Sequence, residues 1–343
     1  MDEKNGTMVN STTEDMLFAS VLGVPGYFAV NGVAIALVCG VGGALNAVIL
    51  IALLCNRHLK KLTLQPILLN ISVAGLVTTA ALVMLNISRM LALVHLLEEA
   101  VYTCRTFNAL LHISIGMRTL LLMTISVTVF ISIKHGAKKI KAFPLFVALV
   151  IMWVVEIVSA VPYFTAAYEI ETFLDGVNCI TGLNSLSYGH IAVSIALGDM
   201  PARIIAVVMV ICTVVHIKKN TITEELTMKR AMIRFAVLLL LINFVTLFAN
   251  ALPAAHFVLP DLITPTTYVI LKAFTYIFLC IPVVVTPVLM MAIFKPVNKA
   301  VKEVVTCKSC IEGVGASKGR LEGSRSSGQA QNSSSVITGP TEL

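Results

Sequence analysis

A bundle of seven membrane-spanning α-helices, followed by a short C-terminal membrane-surface helix, is the fold the sequence predicts: an all-α membrane protein. Three observations predict it. The 343 residues are 57% hydrophobic and only 13% charged, too little charge to cover a soluble domain of that length. The apolar residues gather in seven runs, each long enough to cross a hydrocarbon core of about 30 Å at about 1.5 Å of rise per residue. The basic residues fall in short clusters between those runs. That pattern reports membrane topology, so the net charge of +7 is no sign of a nucleic-acid partner.

In chain order, residues 1–28 precede the first span as a polar N-terminus. Its first fifteen residues are polar and acidic, which is not the basic-then-apolar order of a cleavable signal. The predicted spans are 30–55, 62–91, 104–133, 144–167, 188–217, 230–257 and 267–293, together a bundle over 29–295. The apolar run 16–56 is too long for one span, and Pro25-Gly26 marks where its helix begins. Runs 16–56, 62–88, 235–260 and 273–294 hold no charged residue; the other three embed His112 and Arg118, Glu156, and Asp199 with Arg203. Residues 296–306 form a basic amphipathic stretch suited to lie on membrane lipid. The Gly- and Ser-rich remainder, 307–343, reads as a disordered tail.

Lys and Arg set the orientation. One set of connections carries Arg57, Lys60, Lys61, then Lys134, Lys138, Lys139, Lys141, then Lys218, Lys219, Lys229, Arg230, and the tail adds Lys295, Lys299 and Lys302. The opposite set holds little beyond Lys4, Arg89 and Arg105 against six acids. The positive-inside rule therefore predicts an N-terminus on the outer side and a cytoplasmic tail. Asn5 and Asn10 then sit in glycosylation sequons on the outer side. Asn70 and Asn86 are also in sequons but within the second span, and read as helix polar groups.

The eight cysteines divide by compartment. Cys39, Cys55, Cys212 and Cys280 lie in or near spans and read as packing residues. Cys104 and Cys179 both fall on the oxidising side, where a bridge would tie the outer loop over the bundle. Cys307 and Cys310 have half the spacing of a zinc site but no second pair or histidine cluster. Beyond a basic surface helix they read better as palmitoylation sites, and no metal site is predicted. The terminal Thr341-Glu342-Leu343 fits capture by a PDZ-domain protein, but three residues are a weak pattern and an ordinary tail end fits better.

Short motifs, in order, carry a resemblance. Gly43-Ala44-Leu45-Asn46 is similar to a Gly-Asn pair, and "LLNISVAGL" (68–76) to Leu-Asn-Leu-Ala-x-Ala-Asp-Leu, with Gly75 at the acid. Trp153 stands in the fourth span, Pro201, Pro253 and Pro287 in the fifth to seventh, and "FKPVNKAVKEV" follows. From about 30 to 305 the chain resembles a divergent rhodopsin-like (class A) G-protein-coupled receptor. The resemblance implies a Cys104–Cys179 disulfide, an extracellular ligand, and a heterotrimeric G protein and arrestin as partners. It implies no cofactor.

The departures fall on the activation motifs. Thr128, Val129 and Phe130 occupy the family's Asp-Arg-Tyr. The Asn-Pro-x-x-Tyr motif becomes Thr286-Pro287-Val288-Leu289-Met290, and Cys-Trp-x-Pro becomes Asn250-Ala251-Leu252-Pro253. Cys280 stands at the retinal-lysine position, seven residues before Pro287, which disfavours a light receptor; Lys272 lies two turns further out. Val129 has neither charge nor donor, so it cannot hold an acid at rest or seat a G protein.

Charges inside spans are expensive and call for partners. Arg118 lies fourteen residues after Cys104, about 21 Å along a helix, near mid-membrane. By the resemblance it faces the family's sodium pocket, whose carboxylate is replaced by Gly75. A buried Arg118–Glu156 ion pair is therefore expected to replace the ion. Asp199 and Arg203, four apart, share a face. Asn243, Thr246 and Asn250 form a stripe suited to inter-helix hydrogen bonds. His112, His190 and Lys272 are the candidate ligand-pocket residues; His112 near the third-helix amine-anchoring position disfavours a biogenic amine.

Four functional classes follow. An orphan-type receptor leads. A non-coupling heptahelical scaffold or decoy fits the lost motifs. A transporter fits less well, with an odd number of spans and no inverted repeat. An enzyme has no support, since there is no metal-ligand spacing, no Gly-x-Ser-x-Gly and no paired carboxylates in spans, so no catalytic residue is named.

Overall fold

The computed structural model describes residues 24–56, 59, 64–93, 96–136, 140, 142–164, 169–173, 176–182, 195–219, 226–258 and 265–306. Side chains are described for these except 24–31, 89, 92–93, 97–98, 142, 169–182, 195–196, 219, 226–229, 249–258, 265–274 and 276. Two units divide the chain, Met1–Val301 and Lys302–Leu343; the first holds the bundle, and the described part of the second is the end of the last helix and Thr306.

Seven long helices build the bundle: α1 (Val24–Cys55), α2 (Gln65–Leu93), α3 (Leu97–His135), α4 (Ala142–Ala160), α5 (Met200–Lys219), α6 (Leu226–Val258) and α7 (Pro265–Ile293). A shorter helix, α8 (Lys295–Val305), follows α7 across a bend of 107°. Among the described residues six helices are long and apolar enough to cross a membrane, and the α7–α8 pair brings the number to seven. Large apolar side chains on α4 and α5, such as Phe146, Val154, Val158, Ile204 and Ile211, face outward and are exposed. In water that surface would aggregate; in a bilayer it meets hydrocarbon while the helices satisfy their own backbone. The chain is a multi-pass membrane protein.

α3 is the central helix. It packs against α2, α4, α5 and α6, and most of its length is buried, whereas α4 is largely exposed. It is 39 residues long, beginning two turns before the predicted 104. It ends at Gly136, whose φ of 85° no β-carbon residue adopts cheaply. Lys134 and His135 sit in the last turn, where the helix dipole favours positive charge.

Small residues set the closest approaches. A β-carbon on Gly42 of α1 would stand 2.6 Å from Val283 Cγ1 and 3.0 Å from its carbonyl oxygen on α7. Beside it Asn46 Nδ2 donates to Gly42 O at 2.7 Å and to Val283 O at 2.9 Å. On α4, Trp153 Nε1 donates to Asn70 Oδ1 of α2 at 2.6 Å. One buried cluster joins Ile35, Leu82, Leu85, Phe107, Leu279 and Val283 from four helices.

The helical bundle expected from the sequence is present, and one short hairpin is added to it. After α4 and a 3₁₀ turn at Val161–Phe164, β1 (Glu169–Phe173) and β2 (Gly176–Gly182) form an antiparallel hairpin. Glu169 pairs with Gly182 and Glu171 with Ile180, and the register shifts before Phe173. β2 packs against α2 and α3. The outer loop here is rich in β-branched residues, which suit an extended chain. At the other end of α7, Phe294 packs edge-on against Phe235 of α6 at 5.1 Å, and Val297, Ala300 and Val301 of α8 are buried. Lys295 and Lys299 are left exposed.

Candidate functional site: a polar cavity at mid-bundle

A cavity of about 50 Å³, enough for a few waters, opens between α1, α2, α3, α5, α6 and α7. Its polar lining comes from Asn46, Arg118, Arg203, Asn243, Thr246 and Thr286, with Gly75 in the wall. Each residue has a local reason to be there. Asn46 is held by its two carbonyl acceptors, which fix the amide so that Oδ1 faces α2. Gly75 receives it; a β-carbon there would lie 2.5 Å from that oxygen. Asn46 Oδ1 is buried and has no hydrogen-bond partner.

Arg203, 5% exposed, is the better anchored cation. Nε donates to Asn243 Oδ1 at 2.8 Å, Nη2 reaches Thr119 Oγ1 at 3.4 Å, and Nη2 lies 3.6 Å from Asp199 Oδ2. The wide π-type turn at Ile195–Asp199 that leads into α5 carries this carboxylate. Nη1 is buried without a partner. Arg118 is partly buried and donates from Nη2 to Thr78 Oγ1 of α2 at 2.7 Å. Cys280 of α7 lies beside it, with its thiol against that of Cys39 on α1.

The expected Arg118–Glu156 pair is not formed. Among the described residues the ion pair is Arg203–Asp199. Glu156 rests instead against Gly116, where a β-carbon would collide with its carboxylate. The reason is helical phase. Gly116 and Arg118 are two residues apart, about 200° around α3 at about 3.6 residues per turn. α4 covers the Gly116 face and the cavity lies on the Arg118 face. Comparable depth was legible in the sequence; the side of α3 that α4 covers was not.

The other expected site residues separate. His112 turns to α4, where Nε2 meets Ser159 Oγ at 2.9 Å and Nδ1 meets Tyr163 OH at 3.4 Å; it does not line the cavity. His190, Cys307, Cys310, Asn5 and Asn10 lie outside the described residues, and so does the side chain of Lys272. Cys104 is disulfide-bonded; Cys179 is on β2, and its side chain lies outside the described set. Thr128 and Val129 are buried, Val129 at 2% exposure. Phe130 instead carries Lys134 Nζ 5.5 Å from its ring centre. Thr286 and Met290 are buried on α7, whose interior contains Pro287. The sequence pointed to Asn243 as inter-helix glue but not to Arg203 as its partner. Thr78 and Gly116 carried no signal apart from the helix faces they occupy.

No protein-family model matches the chain, and no curated protein matches it in sequence. In three dimensions it is similar to the crystal structure of squid rhodopsin, at a TM-score of 0.64 and 13% identity, over 86% of this chain and 88% of that one. The class that fold and site define is a heptahelical membrane protein of rhodopsin-like architecture.

Proposed function

We propose that this protein is a cell-surface receptor of the G-protein-coupled type, which carries an extracellular ligand signal through a latch other than the family's usual one. The rhodopsin-like fold over 86% of the chain is the observation that carries the reading. In it the plasma membrane holds the bundle with the N-terminus outside, Asn5 and Asn10 carry glycans, and Cys307 and Cys310 carry palmitate. Cys104 bridges to Cys179, which the packing of β2 on α3 supports. G protein and arrestin are the cytoplasmic partners, and a PDZ-domain protein reads the tail end.

A second reading, a non-coupling scaffold or decoy, is favoured by one observation. Val129 stands at the arginine position and is buried, so it offers a G protein no charge and no donor. Expression in cells with a second-messenger panel and an arrestin-recruitment readout separates the two. Basal or ligand-driven output above the empty vector supports the receptor. Surface display with silence in every channel supports the scaffold. Surface detection of an N-terminal tag on intact cells, and of a tag after Leu343 only once cells are permeabilised, tests the orientation.

A further inference from the structure

The mid-bundle cavity has an unusual charge balance. Arg118 and Arg203 both line it, and the ion pair among the described residues is the single contact from Arg203 to Asp199. Glu156, the other carboxylate at this depth, rests against Gly116 on the α4 face of α3; it does not line the cavity, and the carboxylate it neighbours is Asp199. Among the described residues the cavity is thus lined by two guanidiniums and no carboxylate, and only Arg203 has an acid paired with it, where water cannot screen the charges as it does at a surface.

Donors are also in excess. A guanidinium has five N–H groups. Arg118 uses one on Thr78, and Arg203 has Nη1 buried and unpartnered. The orphan acceptor on the wall, Asn46 Oδ1, is neutral and offsets no charge. A cation would be repelled by both arginines. A carboxylate-bearing organic ligand is larger than about 50 Å³ allows, whereas a halide is little larger than water.

We propose that the cavity between Arg118 and Arg203 is a binding site for a small monovalent anion, chloride under cellular conditions, with Arg203 Nη1 as its principal donor and Arg118 as its second cation. Water bridging to Asn46 Oδ1 completes the shell. The ion ties α3 to α5 at the depth where α1 and α7 also meet, and its occupancy sets how rigidly these helices hold together. The site depends on the fold alone and stands whether or not the bundle signals.

The test uses the purified full-length chain in detergent micelles, with thermal unfolding followed as choline gluconate is replaced by choline chloride at constant ionic strength. Chloride should raise the midpoint saturably, by about 3 °C at roughly tenfold excess over its dissociation constant. Bromide should do the same. Sodium gluconate and potassium gluconate should be indistinguishable. Asn243→Asp, which fixes a carboxylate beside Arg203, should abolish the chloride shift while keeping the fold. Excess ³⁵Cl line broadening by the unmodified protein, competed away by bromide, gives a readout that needs no variant. A midpoint that does not distinguish chloride from gluconate, a sodium-specific rise, an absence of line broadening, or a full chloride shift retained in Asn243→Asp would each overturn the proposal.

Discussion

The carboxylate of Glu156 rests on the bare Cα of Gly116, on the opposite face of α3 from the guanidinium of Arg118. One glycine thus lets an acid from α4 approach α3, and one helical half-turn keeps that acid from the cation. The arginine then takes a hydroxyl partner, Thr78, and the charge of the cavity is left positive.

Gly116→Ala should overpack this contact. The expected loss is about 1–3 kcal/mol of stability, read as a lower thermal midpoint of the purified protein, and Glu156→Ala should restore most of it in the double variant. By contrast, Arg118→Met and Glu156→Gln should add to within about 0.5 kcal/mol, because the two side chains share no partner. Mutual rescue in that second pair would mean that they meet after all.

Gly42→Ala should separate α1 from α7. The added methyl meets the backbone of Val283 as well as its side chain, so a rotamer change cannot relieve it, and the two Asn46 hydrogen bonds stretch with it. A loss of about 1–3 kcal/mol is expected. Ala at Gly40, where a β-carbon meets nothing within 4 Å, is the matched control and should be close to neutral in the same assay.

Cys104→Ser should remove the cross-link that holds its end of α3. About 2–4 kcal/mol of stability is expected to go with it, with reduced surface expression. Cys179→Ser should do the same, and the double variant should be no worse than either single one. Additive losses would assign Cys104 another partner.

Much of the architecture was legible because a membrane makes sequence unusually explicit. Residues such as Phe146 and Val158 must be apolar merely to face lipid, so spans register as runs of hydrophobicity, and Pro25-Gly26 and the lysine clusters mark their ends. The amphipathic order of Lys295–Val305, with Val297, Ala300 and Val301 inward, likewise needs only its own periodicity. The hairpin at Glu169–Gly182 was harder, since its strands are short and their pairing lies in backbone hydrogen bonds.

The sequence by itself determined that the chain crosses a membrane about seven times, and that Arg118, Glu156, Asp199 and Arg203 are charges embedded in apolar spans and need explaining. Local composition and the fixed rise of a helix decide those things. Only the tertiary structure decided who meets whom: Arg118 with Thr78, Arg203 with Asn243 as well as Asp199, Glu156 with Gly116, and His112 with Ser159 and Tyr163. Depth along a helix follows from counting residues. The rotation of each helix against its neighbours does not, because it is set jointly by the packing of all seven, and about 100° per residue separates a buried pair from two side chains that never touch.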